Sequence, residues 1–333
     1  MIPATPLPTP DWQSILAAAV RDPLELLDQL GLTQHPALDT DFDPSFPLRA
    51  PAPWIARMQY GNPNDPLLLQ TLPLRSELDP VVGFSADPVG DLDAARGHGL
   101  LQKYHGRALL LTTAACAIHC RYCFRRAFPY QDYSLSPQTL NDLHAELYAD
   151  PSLHELILSG GDPLALSTSR LHKLIEALHG VPHLQTLRMH TRLPVVLPQR
   201  IDAELMQLLE QASRRWRVVM VLHVNHAQEI DQIFADAVHT LRQLPITLLN
   251  QTVLLRGIND KPESLIELSH SLHRQHVLPY YLHQLDQVTG AAHFAVPDTE
   301  AQALHREMRS QLPGYLVPRL VREVAGASNK TPL

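Results

Sequence analysis

The sequence predicts an α/β fold built on a parallel sheet: a full or partial β/α barrel, with a doubly wound sheet as the main competitor. Three observations carry this. From residue 107 onward, short continuous apolar runs alternate with amphipathic stretches, as strands buried on both faces alternate with covering helices. About six such units follow one another. The chemistry-bearing residues fall just after the apolar runs, and a β/α barrel gathers its functional groups at the C-terminal ends of its strands.

The elements read in order as follows. RALLLTT (107–113) is a buried strand, and the cysteine-rich CAIHCRYCFRR follows it. SPQTLNDLHAELYAD is a helix with Ser136 as N-cap and Pro137 at its first position, where the missing N–H costs nothing. ELILSG (155–160) is the second strand, followed by GGDPL and the helical STSRLHKLIEALHG. TLRMHT (186–191), RVVMVLHV (217–224), TLLNQTVLL (247–255) and LPYYLHQL (278–285) continue the strands. HTRLP, HVNH, RGIND and QLDQVTG stand at their ends. Helices near 202–213, 229–243, 262–275 and 298–311 separate or follow them. Before residue 100 the texture differs. About half of the 29 prolines lie there, short helical patterns such as WQSILAAAVRDPLELLDQLGL are broken by Pro and Asp, and DTDFDPSFPLRAPAPW reads as irregular.

Composition narrows the function. With 27 Lys plus Arg against 34 Asp plus Glu, the net charge of −7 argues against binding nucleic acid through a broad basic surface. Apolar runs such as VVMVL (218–222) are too short to span a bilayer. MIPATPLPTPDW lacks the basic and apolar regions of a signal peptide. The three cysteines are clustered and do not form a disulfide framework, so the expected compartment is the reducing cytosol.

Those cysteines, Cys116, Cys120 and Cys123, are spaced C-x3-C-x2-C in one loop. Thiolates at this spacing converge on one centre if the loop curls around it. A zinc site would recruit a fourth ligand, and His119 is near. An iron–sulfur cluster held by three cysteines would leave one iron open to an outside ligand. Three unligated buried cysteines are the remaining alternative. SGGDPL (159–164) is a simple turn or a close-approach segment when taken alone.

C-x3-C-x2-C after the first strand of a β/α barrel, with Tyr122 beside Cys123 and the glycine-rich SGGDPL, resembles the radical S-adenosylmethionine (SAM) superfamily. CRYCFRRAF, SGGDPL, HTRLPV, HVNHAQEI, QTVLLRGIND, LPYYLHQLD and GYLVP, in this order from about residue 55 to the C-terminus, resemble lysine 2,3-aminomutases more narrowly. The resemblance implies a partial (β/α)6 radical SAM barrel over residues 101–312. It also implies a short C-terminal tail, 313–333, that binds pyridoxal 5′-phosphate (PLP), while the proline-broken pattern of residues 1–100 reads as a partly helical accessory segment wrapped on the main domain.

It further implies that Cys116, Cys120 and Cys123 hold a 4Fe–4S cluster whose open iron is chelated by SAM. Ser159, Gly160, Gly161, Asp162 and His190 are then the SAM-side residues. Lys330, in GASNKTPL, stands where the family has its PLP lysine; alone it reads as a solvated tail residue. Lys103, Tyr104 and Arg107 in KYHGR match the PLP-binding segment, with Lys103 where the family usually has Arg, and His223 matches another PLP contact. Arg125 is implied to bind the substrate carboxylate, and Asp286 the ε-ammonium of lysine. The family's second aspartate is replaced here by Glu323.

The chain stops three residues after Lys330 and has no further cysteine, whereas lysine-fermenting aminomutases continue into a zinc-binding extension. It therefore resembles the branch of elongation factor P β-lysylation protein B. That branch converts free L-α-lysine to (R)-β-lysine, which a separate ligase attaches to elongation factor P, and a flavodoxin- or ferredoxin-type reductant is implied. The competing expectations are a catabolic or biosynthetic lysine 2,3-aminomutase, an aminomutase for another amino acid such as glutamate, and a zinc-containing binding module. Asp286 and Glu323 disfavour glutamate, because they would repel its side chain.

Overall fold

A computed structural model describes residues 11–33, 35–36, 38–39, 45–132 and 136–333. The leader reading of residues 1–10 and part of the irregular stretch before residue 45 lie outside the described residues.

Ten strands form one sheet in chain order. They are β1 Ala95–Gly97, β2 Leu100–Tyr104, β3 Arg107–Thr113, β4 Glu155–Gly160, β5 Thr186–Thr191, β6 Arg217–His223, β7 Thr247–Val253, β8 Leu278–His283, β9 Arg319–Arg322 and β10 Thr331–Pro332. From β3 to β9 every neighbouring pair is parallel. β1–β2–β3 and β9–β10 are antiparallel. A doubly wound sheet needs a reversal of strand order, and this sheet has none. The progression is that of a β/α barrel wound in one direction. β1 and β10, the end strands, do not pair with each other.

Strands β3 to β8 sit where the apolar runs predict them. The helix Pro137–Ala149 begins as expected, with Ser136 Oγ accepting from Thr139 N at 3.1 Å. The pattern left three things unread: the hairpin β1–β2, the seventh parallel strand β9, and β10. β2 and β3 join through a two-residue turn at His105–Gly106, where Gly106 has φ 77°. This turn places Tyr104 opposite Arg107.

The N-terminal segment forms short helices, among them Trp12–Ala17 and Pro23–Gln29, capped by Asp11 and Asp22. Trp12, Leu26, Trp54 and Leu68 share one hydrophobic cluster with Leu156, Met189 and Met220 of the sheet. This segment also reaches the cysteine loop. Arg121 is fully buried and bidentate to Glu77, with Nε–Oε1 at 2.8 Å and Nη2–Oε2 at 2.7 Å; Arg126 joins at 2.8 Å. A buried carboxylate between two guanidinium groups holds firmly because each charge keeps a partner.

Candidate active site

The C-terminal ends of the parallel strands, the hairpin and the tail surround one cavity of about 290 Å³. Cys116, Cys120, Cys123, Lys103, Tyr104, Arg107, Arg125, Ser159, Gly160, Gly161, Asp162, His190, His223, Asp286, Glu323 and Lys330 all line it. The structure thus brings together the residues that the resemblance implies for the cluster, SAM, PLP and substrate, and leaves His119 outside the cavity.

The cysteines are free thiols on the loop after β3, with Cys123 N bonded to Cys120 O at 3.0 Å. Burial, reinforced by the neighbouring cysteines, pushes the Cys116 thiol far up and the Cys123 thiol up to about 11. Cys116 and Cys123 so placed become thiolates only if a positive centre compensates them. His119, the candidate fourth zinc ligand, turns elsewhere: Nδ1 lies 2.8 Å from Pro47 O and the ring stacks on Phe46. Among the described residues, no three His, Cys, Asp or Glu side chains converge on one ion.

The glycine-rich segment is fastened to the start of this loop. Gly161 N donates to Thr113 O at 2.7 Å, and Asp162 N to Ala115 O at 2.8 Å. A Cβ on Gly161 would lie 2.4 Å from Ala115 O; one on Gly160, which has φ 117°, would lie 2.7 Å from Thr113 O. The glycines therefore permit backbone to touch backbone. Asp162 differs from the expectation of a direct SAM contact. Its carboxylate already accepts from Leu164 N, Thr191 Oγ1, Arg192 N and Leu193 N at 2.7–3.0 Å. It ties the end of β4 to the end of β5.

Two cations share a carboxylate absent from the sequence reading. Asp91 receives Arg125 Nε at 2.6 Å and Lys103 Nζ at 2.6 Å. Burial would raise the Asp91 carboxyl, but the two cations outweigh it and hold it below its ordinary range. Arg125 also reaches Ser159 Oγ at 3.3 Å. Arg107 stacks on the Tyr104 ring at 4.7 Å, and its buried Nε has no partner among the described residues. His190 Nε2 is likewise buried without a partner. Burial drives the pKa values of His190, His223 and His283 well down, so all three are neutral. His223 Nε2 lies 2.9 Å from the Tyr122 hydroxyl.

Lys330 Nζ meets Glu323 Oε2 at 2.5 Å, and the Tyr104 hydroxyl donates to Glu323 Oε1 at 2.6 Å. Glu323, expected to meet a substrate ammonium, is here the counter-ion of Lys330. Asp286 makes no side-chain hydrogen bond among the described residues. Burial pushes its carboxyl up to about 7, and Glu323 adds to this while Lys330 opposes it.

The residues present fit the three implied groups. Grouped thiols suit a cluster, and the glycine cradle beside them admits a close ligand. Lys330 with the unpartnered Arg107 Nε suits an aldehyde bearing a phosphate. Asp91 and the buried Arg192 escaped the sequence reading. Asp91 sits in a segment without periodicity, and its partners come from β2 and the cysteine loop.

The sequence profile described as Radical SAM superfamily matches residues 110–269. The L-lysine 2,3-aminomutase of Haemophilus influenzae is 45% identical over 327 residues, covering 96% of this chain and 95% of that one. The enzyme of that name from Escherichia coli is 44% identical over 325 residues, covering 97% and 94%. The one from Clostridium subterminale is 34% identical over 281 residues, covering 84% of this chain and 67% of that one. With such identity over nearly its full length, and with the cysteine loop at the mouth of its sheet, the chain belongs to the L-lysine 2,3-aminomutase family of radical SAM isomerases.

Proposed function

We propose that this chain converts free L-α-lysine to (R)-β-lysine and that the product serves β-lysylation of elongation factor P in the cytoplasm. The observation that carries the lysine reading is one cavity holding three cysteines, Lys330, Arg125 and the unpaired Asp286. Enzymes of this family use a 4Fe–4S cluster, SAM and PLP. When bound, the cluster and SAM supply one-electron chemistry, and PLP supplies an aldehyde able to carry an amino group.

The chain's own residues do the rest. Cys116, Cys120 and Cys123 hold the cluster. Ser159, Gly160, Gly161 and His190 border SAM, while Asp162 fixes the loop that carries the glycines. Lys103 and Arg107 balance the phosphate, with Tyr104 and His223 beside the ring. Arg125 presents a planar guanidinium to the lysine carboxylate, pre-oriented by Asp91. Asp286 receives the ε-ammonium, since a buried ammonium is costly without an anion. Glu323 holds Lys330 when that lysine carries a charge. A flavodoxin- or ferredoxin-type protein supplies the electron. No helix among the described residues is long and apolar enough to cross a membrane.

The test is an anaerobic incubation with lysine, SAM, PLP and a reductant, followed by chiral analysis. (R)-β-lysine is the expected product. Unchanged lysine with intact cluster and bound PLP would refute the substrate assignment. The link to elongation factor P is tested by supplying that product to the factor and its ligase. A ligase that ignores it overturns the link alone.

A further inference from the structure

Cys120 differs from the other two cysteines in what its sulfur meets. Arg192 Nη1 lies 2.8 Å from Cys120 Sγ and 2.5 Å from the Tyr122 hydroxyl. Arg192 Nη2 donates to Gln70 Oε1 at 2.6 Å and to Glu229 Oε2 at 3.0 Å. The guanidinium lies over the Trp54 ring at 4.8 Å. The backbone of Arg192 is fixed too, because its N–H donates to Asp162 Oδ2 at 2.7 Å. Its side chain is 8% exposed and that of Glu229 is 0% exposed. Arg192 is thus a permanent cation, clamped on several sides and withdrawn from water. No side chain donates such a bond to Cys116 or Cys123 among the described residues.

We propose that Arg192 sets the reduction potential of the iron–sulfur cluster through its hydrogen bond to Cys120, holding the potential above the value the bare thiolates would give. This rests on the reading of the three cysteines as cluster ligands. Reduction adds negative charge to the irons and their sulfur ligands. A cation at hydrogen-bond distance from one ligand sulfur stabilises that extra charge, and does so strongly where water is excluded. Glu229 opposes this effect only in part, because it engages Nη2 while Nη1 faces the sulfur. The cluster must first accept an electron from a donor and then pass it on. A potential set too low would block the first step, and one set too high would weaken the second. Arg192 acts on that balance without touching the reacting atoms, so it is a positioning residue.

The experiment is EPR-monitored potentiometry on the anaerobically reconstituted full chain, without SAM or lysine, with iron and sulfide assayed on each sample. Wild type is compared with Arg192→Lys and Arg192→Gln. We expect Arg192→Gln to keep its iron and to show a clearly more negative midpoint. Arg192→Lys, which keeps the charge but loses the planar fork, should fall between the two. If Arg192→Gln loses its cluster, the midpoint of Arg192→Lys decides: a value below wild type supports the proposal, and an unshifted one overturns it. Full iron with an unshifted midpoint in both variants overturns the proposal. Loss of the cluster from both does so too, in favour of a purely structural arginine. A wild-type midpoint that falls steadily with pH would assign the control to a titrating group instead. A wild-type chain that takes up no cluster is a different failure: it removes the cysteine reading itself.

Discussion

At Asp286, burial changes what a carboxyl can do near neutral pH. Its ordinary range lies far below 7, but deep in the cavity it is pushed up to about 7. A lysine ε-ammonium binds the ionised form. Below that value the site is protonated, and lysine must expel a proton to bind. The sign follows: kcat/KM for lysine should rise as pH increases through about 7 and level off above it. A kcat/KM profile reports groups of the enzyme before it binds lysine. Asp286→Asn should lose this limb. Removing one partner of a desolvated ion pair costs about 3–5 kcal/mol. Asp286 faces the cavity and keeps some solvent access there, so we expect a loss of about 10- to 100-fold in kcat/KM. Iron content and PLP absorbance should stay near wild type. An unchanged pH profile in Asp286→Asn would remove the ε-ammonium assignment. Glu323 separates from Asp286 in the same assay. As the partner of Lys330, its replacement by Gln should weaken PLP retention more than it raises KM for lysine. Borohydride reduction followed by peptide mapping should find the pyridoxyl group on Lys330, and on Lys103 or Lys261 in neither enzyme.

At the scale of elements, the cysteine loop and the glycine segment behave as one unit. Each strand end is a short, ordinary connection, but Gly160 and Gly161 bring two of them into backbone contact. Gly161→Ala places a Cβ against Ala115 O, which is backbone and cannot swing away. Forced overpacking of this kind costs about 1–3 kcal/mol. We expect that loss in urea denaturation of the metal-free chain, together with reduced iron uptake after reconstitution. Full stability and full iron in Gly161→Ala would mean the two loops are not coupled. The same scale explains what the sequence discloses. β3 to β8 are legible because strands covered on both faces are continuous apolar runs, as in RALLLTT and RVVMVLH. The strands next to the two edges, β2 and β9, are not. LLQKY and RLVR alternate or mix charge, are short, and are defined by what they pair with. The site residues were legible where a motif fixes local spacing, as for the cysteines and SGGDPL. Asp91, Arg192 and Glu229 were not, because their significance lies in partners far along the chain. Glu229, for instance, meets Gln70 across 159 positions.

At the scale of the whole molecule, the sheet stays open and side chains span the gap. β2 lies near one edge and β9 near the other, and no strand pairing joins them. Tyr104 at the end of β2 donates to Glu323, just beyond β9. Lys103 lies 3.7 Å from the same carboxylate. Glu323 in turn holds Lys330, seven residues on, so the tail that carries the proposed PLP lysine is anchored across the opening. Burial and the Glu323 charge push the Tyr104 phenol upward, which keeps it protonated and donating throughout the working pH range. The anchor is therefore insensitive to pH but depends on one hydroxyl. Tyr104→Phe removes it and keeps the ring on which Arg107 stacks. A hydrogen bond to a charged group contributes about 1.5–3 kcal/mol. If that energy holds the tail shut, local opening should become about 10- to 100-fold more frequent. Hydrogen exchange read by mass spectrometry should then accelerate over residues 324–333 and in the hairpin β1–β2. Exchange in β4 to β7 should stay unchanged. Iron uptake should also be unchanged, because the cysteine loop is tied to Glu77 and Gly161 on another side of the cavity. Acceleration spread over the whole sheet would show that Tyr104 supports global stability and does not latch the tail. No acceleration at all would show that backbone pairing of β10 to β9 closes the site without it.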